Sequence, residues 1–165
     1  MKTLLLIRHA KSDWNDPALK DFDRPLNERG KKNAPEMAKR LLDKNIKIDT
    51  LISSPAKRAK KTAELMAKEY DIKKEKIIFI DQLYLAEPSV FFDVISKIDD
   101  DHKHVALFAH NPGITDFANQ IADVRIDNIP TCGVFAIKMN GKHWKDFEKA
   151  EKEFWFFDYP KAGED

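Results

Sequence analysis

Two apolar stretches of the sequence each end in a histidine. Residues 3–7 run into Arg8 and His9, and residues 105–109 run into His110. Such stretches are typical of strands buried on both faces of a parallel sheet, and ligands of these sheets bind beyond the carboxyl ends of the strands. We therefore expect both histidines at one edge of a sheet, where an imidazole could serve as nucleophile, acid or base. Taken alone, Arg8 and His9 could equally be a strand end that meets solvent.

Arg58 extends this pair of histidines to an anion-binding set. It falls in the first turn of a helix predicted to begin at Ser54 and Pro55, directly after a short strand at residues 49–53. Helix N-termini bind anions, and the planar guanidinium groups of Arg8 and Arg58 suit the oxygens of a tetrahedral phosphoryl group. The four side chains together predict a phosphate pocket.

The elements that must position these side chains alternate along the chain. Short apolar runs indicate buried strands, and apolar residues that recur every three or four positions indicate helices, the first of them capped by Asn27. This alternation predicts an α/β fold of three layers, a mostly parallel central sheet with helices on both faces, in a single domain over residues 1–165. The predicted strands are residues 3–7, 49–53, 77–80 and 105–109, followed by two closing strands at 132–139 and 154–157 that could run antiparallel.

Composition limits the classes of partner. Charged residues make up 35% of the 165 residues but leave a net charge of only +1, so we expect neither nucleic acid nor membrane as a partner. The single cysteine, Cys132, excludes an internal disulfide framework. The first apolar run is too short for a signal peptide or a membrane span, which predicts a cytoplasmic protein. Residues 163–165 are expected to form a loose tail.

Four motifs, in this order, resemble those of the histidine phosphatase superfamily, also called the phosphoglycerate mutase-like superfamily. An Arg-His dipeptide alone is a weak signal, whereas the ordered set is specific and spans the chain from its start to Gly113. The resemblance implies a phosphoglycerate mutase-like sheet and a phosphate-transferring enzyme. The motifs occupy residues 8–15, 25–30, 53–63 and 110–113.

The resemblance also implies roles for individual residues. His9 would be the nucleophile that forms a phosphohistidine intermediate, which water later hydrolyses. Arg8 and Arg58 would hold the equatorial oxygens, where charge lies in the transition state. No metal or other cofactor is implied, because cationic side chains take the place that a divalent ion fills elsewhere. Further contacts to the phosphate are expected from the polar residues His110, Asn15, Asn111 and Ser12.

The sequence departs from the family pattern at Leu85. Many members carry a proton-donating Glu at this position, after the third strand. An alkoxide leaving group needs a proton donor, whereas imidazole, with a reference pKa of about 6.5, leaves far more easily. The missing acid therefore points to a phosphoramidate substrate and to the phosphohistidine phosphatase branch of the family, which residues 23–30 also resemble. Asp23 or Glu87 could still supply a proton if a loop brings either of them in.

These observations predict a metal-independent phosphohistidine phosphatase that acts on a phosphorylated protein or a small phosphorylated substrate, with a monomer favoured. A broad-specificity phosphatase for small molecules remains an alternative, and a phospho-ligand binding module without turnover is a third. The cluster of lysines over residues 57–61 predicts a solvated helix face. Its position beside Arg58 also suggests that it steers an acidic phosphoprotein toward the pocket.

Overall fold

The protein is built on one mixed sheet, seen in a computed structural model that describes residues 1–161. The tail predicted at residues 163–165 lies outside the described residues. The six strands are β1 (Lys2–Arg8), β2 (Thr50–Ser53), β3 (Ile78–Phe79), β4 (His104–Ala109), β5 (Val134–Asn140) and β6 (Glu151–Asp158). Their order in the sheet is β3-β2-β4-β1-β5-β6.

Four α-helices connect the strands. A short 3-10 turn, Asp21–Asp23, lies in the long loop between β1 and the first helix. Within residues 1–161, no helix combines the length and the apolar character that a membrane crossing requires. The helices are α1 (Glu28–Asp43), α2 (Lys57–Glu69), α3 (Pro88–Ser96) and α4 (Gly113–Ile121).

Strand β1 supplies both hydrophobic cores, because successive side chains of a strand point to opposite faces of the sheet. Leu4 and Leu6 pack in the core that also holds residues of α3 and α4. Leu5 and Ile7 pack in the core formed with α1 and α2. All four side chains are at most 1% exposed, which explains the continuous apolar run. The predicted α/β fold with three layers is confirmed.

The pairing of β1 fixes where the two histidines emerge. β1 runs parallel to β4 with Arg8 opposite Ala109, so His9 and His110 follow at the same end of two adjacent strands. β2 is parallel to β4 on its other side, which brings the start of α2 to the same edge. β5 is antiparallel to β1 and to β6. This confirms the prediction that the two closing strands could run antiparallel.

The third predicted strand was wrong in its length and its burial. Residues 77–80 were expected to form a buried strand, but β3 comprises only Ile78 and Phe79, which are 40% and 38% exposed. β3 lies at the edge of the sheet and pairs only with β2, so its side chains lack strand neighbours on one side. An apolar run alone does not distinguish an edge strand from a central one.

The start of α1 packs tightly against the loop that follows β1. Asn27 caps the helix as predicted, since its Oδ1 accepts the Gly30 N–H at 2.8 Å. A Cβ atom at Gly30 would lie only 2.3 Å from the Lys11 carbonyl oxygen. Only glycine allows this approach, and the Asn27 N–H donates to the same carbonyl at 3.0 Å. The contact holds the loop after His9 in place.

Candidate active site

A pocket of about 290 Å³ lies at the carboxyl ends of β1, β2 and β4, and all four predicted catalytic residues line it. Arg8 and His9 come from the end of β1, His110 from the end of β4, and Arg58 from the first turn of α2. His9, Arg58 and His110 are at most 6% exposed, although each is polar or charged. The other lining residues are Lys11, Ser12, Trp14, Asp21, Arg24, Leu85, Asn111 and Thr131.

The local hydrogen bonds of His9 fix its tautomer. Its Nδ1 lies 2.7 Å from the carbonyl oxygen of Ala10, which can only accept a hydrogen bond. Nδ1 therefore carries the proton, and the lone pair is on Nε2. The Nε–H of Arg58 points at this lone pair from 3.3 Å. The imidazole consequently presents an unprotonated nitrogen to the cationic side of the pocket.

The pKa of His9 is lowered from 6.5 to about 3. Burial is the largest cause, and the nearby charges of Arg58, Arg8 and Arg24 lower it further, while the hydrogen bond to Ala10 opposes the shift. A neutral imidazole is thus present throughout the neutral pH range. This is the protonation state that a nitrogen nucleophile requires.

His110 lies beside His9, with 5.3 Å between the ring centroids. Its Nε2 is 2.8 Å from the hydroxyl oxygen of Ser54, which accepts the Ala56 N–H at 3.2 Å. The direction of this hydrogen bond depends on the tautomer of His110, since a hydroxyl can both donate and accept. Burial and then the neighbouring His9 and Arg58 lower the pKa of His110 to about 3. Ser54 therefore orients His110, and α2 begins at Lys57 rather than at the predicted Ser54 cap.

Three buried side-chain nitrogens lack a hydrogen-bond partner within residues 1–161, and all three belong to this pocket. They are Nε of Arg8, Nε of Arg24 and Nδ1 of His110. Buried polar nitrogens are normally paired, and the two Nε–H groups of Arg8 and Arg24 can only donate, so they suit a ligand with acceptor oxygens. Two of the three are on guanidinium groups, which favour an anion. The pocket is therefore built to hold an oxyanion.

Asp21 places a carboxylate among these cations, and sequence reasoning missed it. Its Oδ2 lies 2.9 Å from Nη2 of Arg58, and its Oδ1 lies 2.9 Å from Nη2 of Arg24. The hydroxyl of Tyr84 also donates to Oδ2. Partial burial opposes ionisation, but the bonds from Tyr84 and Arg58 hold the pKa of Asp21 below its ordinary value. The carboxylate of Asp21 thus occupies part of the guanidinium of Arg58, the group that is predicted to bind phosphate.

Comparisons with known proteins agree with this geometry. The model of the histidine phosphatase superfamily (branch 1) matches residues 4–82. The match covers just under half of the chain and includes three of the four motifs, so the chain resembles members of this superfamily. This match, together with the solved structures described next, confirms the resemblance read from the motifs and supports a hydrolase that acts on phosphate groups.

Solved structures extend the match along the chain. SixA from Agrobacterium tumefaciens is 25% identical with a TM-score of 0.79, over 96% of this chain and 98% of that one. The protein histidine phosphatase SixA complexed with tungstate reaches a TM-score of 0.82 at 15% identity, over 97% and 98% of the two chains. An uncharacterized chloroplastic protein of Arabidopsis thaliana is 27% identical over 153 residues, which cover 88% of this chain and 70% of that protein. The superfamily fold therefore spans the chain.

Ser12 and Asn111 line the pocket as expected, but three other candidate residues do not. Asn15 is exposed, and its backbone N–H binds the carboxylate of Asp13 at 2.7 Å, so the loop turns it away. Asp23 lines a neighbouring cleft, because the two ends of a 3-10 turn project in different directions. Glu87 is exposed at the N-cap of α3. Neither candidate acid reaches the pocket in this conformation.

Leu85 lines the pocket at the position where the family resemblance implied a proton-donating Glu. Its side chain is 55% exposed, and its φ of 51° lies in the left-handed region. This conformation costs a residue with a side chain about 1 kcal/mol or more. The next residue, Ala86, packs on the start of α4, where a Cβ at Gly113 would lie 1.8 Å from its carbonyl oxygen. The packing holds the strained rim in place.

The two buried histidines predict that the protein loses stability in mild acid. Their folded pKa values of about 3 lie below the unfolded value of 6.5, so the unfolded chain binds more protons as the pH falls through this interval. Between about pH 6.5 and about pH 5, we expect each histidine to lower the free energy of unfolding by about 1 to 2 kcal/mol. Urea unfolding at the two pH values measures this loss.

The control is the double variant His9→Gln, His110→Gln, which removes the two buried imidazoles and leaves every other titratable group in place. Its stability should fall less between the two pH values than that of the unaltered protein. Equal losses in the two proteins would contradict the lowered pKa values.

The position of Asp21 predicts that it competes with phosphate for the arginines. Replacing Asp21 by Asn keeps the shape of the side chain and removes its charge. We expect inorganic phosphate to inhibit Asp21→Asn at a concentration about fivefold lower, because like charges a few ångströms apart near a protein surface repel by about 1 kcal/mol or more. Asp23→Asn, on the same turn but outside the pocket, is the matched control. Weaker inhibition of Asp21→Asn would show instead that Asp21 holds Arg58 in its productive position.

Proposed function

We propose that this protein is a metal-independent phosphohistidine phosphatase that acts on a phosphorylated protein through a covalent intermediate on His9. The observation that carries the proposal is the fixed tautomer of His9. Its Nδ1–H is held by the Ala10 carbonyl, so the lone pair of Nε2 faces the guanidinium of Arg58 inside an oxyanion pocket. The proposed nucleophile, Nε2 of His9, and the guanidinium that would bind the phosphoryl group are therefore already adjacent before a substrate binds.

Binding of the phosphoryl group comes first. Its oxygens take the unpartnered N–H groups of Arg8 and Arg24 beside His110, and they compete with Asp21 for Arg58. As Arg58 turns to the phosphate, its Nε–H leaves the His9 lone pair, which is then free to attack. The arginines stabilise the negative charge on the equatorial oxygens as the transition state forms.

The chemistry then proceeds in two displacements. In the first, the Nε2 lone pair of His9 forms a bond to phosphorus while the bond from phosphorus to the substrate nitrogen breaks. The substrate imidazole, protonated on its distal nitrogen, keeps the electron pair and leaves as a neutral ring. In the second, water attacks the phosphohistidine and releases inorganic phosphate, which restores the neutral His9.

The rim of the pocket favours a nitrogen leaving group. Leu85 carries no proton to donate, and Asp21, the carboxyl group at the clamp, has a lowered pKa and is ionised at neutral pH. An alkoxide would leave this site without an acid, whereas a neutral imidazole needs none. The likeness to SixA, one structure of which is described as a protein histidine phosphatase complexed with tungstate, supports the same substrate class.

Replacement of His9 tests the covalent step. After incubation with a labelled phosphodonor and a rapid quench, the unaltered protein should carry a phosphoryl group that is labile in acid and stable in base. His9→Ala should carry none, and its turnover should fall by about 10³-fold or more, because the nucleophile acts as one unit with its pocket. His104, a histidine at the opposite end of β4, provides the control variant His104→Ala. A label that persists on His9→Ala would remove His9 as the nucleophile.

Leu85 tests the substrate class. Leu85→Glu should raise the hydrolysis of sugar phosphates by about tenfold or more relative to a phosphohistidine substrate, since a positioned acid contributes about 10²–10⁴-fold when its geometry is good. Leu85→Gln has the same size but no acidic proton, and it should not raise this ratio. A clear preference of the unaltered protein for sugar or aryl phosphates over a phosphohistidine protein would favour the alternative, a phosphatase for small molecules.

A further inference from the structure

A second cleft, of about 580 Å³, opens beside the phosphate pocket and carries a positive charge. Four lysines line it against two carboxylates, Asp23 and Glu64. The lysines are Lys31, Lys57, Lys60 and Lys61. With a net charge of only +1 over the whole chain, this local cluster is a distinct electrostatic feature of the surface. We call it the basic cleft.

The basic cleft and the phosphate pocket share a wall. Asp21 lines the pocket, while the next two residues, Phe22 and Asp23, line the cleft. On α2, Arg58 lines the pocket and its neighbour Lys57 lines the cleft. Consecutive Cα atoms are only about 3.8 Å apart, so the two cavities are adjacent. A substrate polypeptide that enters the pocket can therefore reach the lysines of the cleft within a few residues.

Three of the four lysines have no acidic partner. Within residues 1–161, Lys57, Lys60 and Lys61 form no ion pair, whereas Lys31 lies 3.4 Å from Glu28. All three are exposed in the first turns of α2, where cations oppose the helix dipole and where the first turn contains no acidic residue. The cluster does not stabilise the helix that carries it, and no carboxylate among the described residues neutralises its charges, although the Lys60 ammonium lies 5.6 Å from the centre of the Phe79 ring.

We propose that the basic cleft binds an acidic segment of the phosphoprotein whose phosphohistidine occupies the pocket. This inference rests on the proposed function and names its partner: a protein with Asp or Glu about two to four residues from the phosphohistidine, the reach of an extended chain at about 3.3 Å per residue. The lysines bind its carboxylates. Aliphatic parts of the segment pack on the apolar lining, which is formed by Phe22, Pro25, Leu26 and Pro55.

A protein segment fits the cleft better than a nucleic acid does. Phe22 is the one aromatic residue among the lining residues, so successive bases would find no stacking platform. Asp23 and Glu64 would repel a continuous run of phosphates, whereas a peptide can place its carboxylates opposite the lysines alone.

The test compares two triple variants of equal charge. Lys57→Gln, Lys60→Gln, Lys61→Gln neutralises the basic cleft, and removal of cations from the start of α2 should not weaken the fold. Lys142→Gln, Lys145→Gln, Lys149→Gln removes three exposed lysines that follow β5, at the opposite end of the sheet from the cleft. The substrates are an Asp- and Glu-rich phosphohistidine peptide, a twin with Ser at the acidic positions, and free phosphohistidine.

We expect the cleft variant to lower kcat/KM for the acidic peptide by about tenfold, with less dependence on salt between about 50 mM and about 300 mM, because neutralised rim charges slow association. Its turnover of the Ser peptide and of free phosphohistidine should stay unchanged, and the control variant should retain its rate on all three substrates. Equal losses from both variants, or none from either, would overturn the proposal. Stronger competition by a single-stranded oligonucleotide than by an acidic peptide without phosphate would also overturn it.

A separate measurement keeps this result distinct from a failure of the proposed function. If the unaltered protein does not cleave free phosphohistidine, the substrate assignment fails, and the basic cleft is then tested by binding. Fluorescence anisotropy measures the binding of a labelled Asp- and Glu-rich peptide to His9→Ala. We expect salt to weaken this binding, and we expect Lys57→Gln, Lys60→Gln and Lys61→Gln, added to His9→Ala, to remove it. Binding that survives these substitutions would exclude the cleft as the docking surface.

Discussion

The parallel pairing of β1 with β4 is the constraint on which the site depends. Because Arg8 pairs with Ala109, the two strands end at the same level and deliver His9 and His110 side by side, with 5.3 Å between their rings. A shift of β1 by one residue relative to β4 would turn the β1 side chains to the opposite faces and move His9 away from His110. The register is fixed by the alternating core residues of β1, so the hydrophobic cores and the phosphate pocket have a common origin.

Helix α2 is tied to this strand end by a short hydrogen-bond chain. The Ala10 N–H donates to the hydroxyl of Thr62, which donates to the carbonyl oxygen of Arg58. The carbonyl of the same Ala10 fixes the tautomer of His9. Ala10 therefore orients the His9 imidazole through its carbonyl oxygen and positions Arg58 through its N–H, so a movement of α2 would disturb both groups together.

The electrostatics of the pocket combine neutral imidazoles with charged guanidiniums. Burial and the arginine charges keep His9 and His110 unprotonated, whereas Arg8 and Arg58 remain available to bind an anion. Asp21 offsets part of this positive charge in the absence of a ligand. The same loop that carries Asp21 separates the pocket from the basic cleft, since Phe22 and Asp23 line the cleft.

The sequence by itself determined the strand ends, the three-layer fold and the four central side chains, because each of these depends on local apolar patterns and on the rule that parallel strands present ligands at their carboxyl ends. It could not show that β3 lies at an edge, since the order of strands depends on packing between distant segments. The contact of Asp21 with Arg58 and the displacement of Asn15, Asp23 and Glu87 from the pocket were likewise decided only in the tertiary structure. Those residues lie on loops, where direction is set by turns and by contacts far along the chain rather than by a repeating pattern.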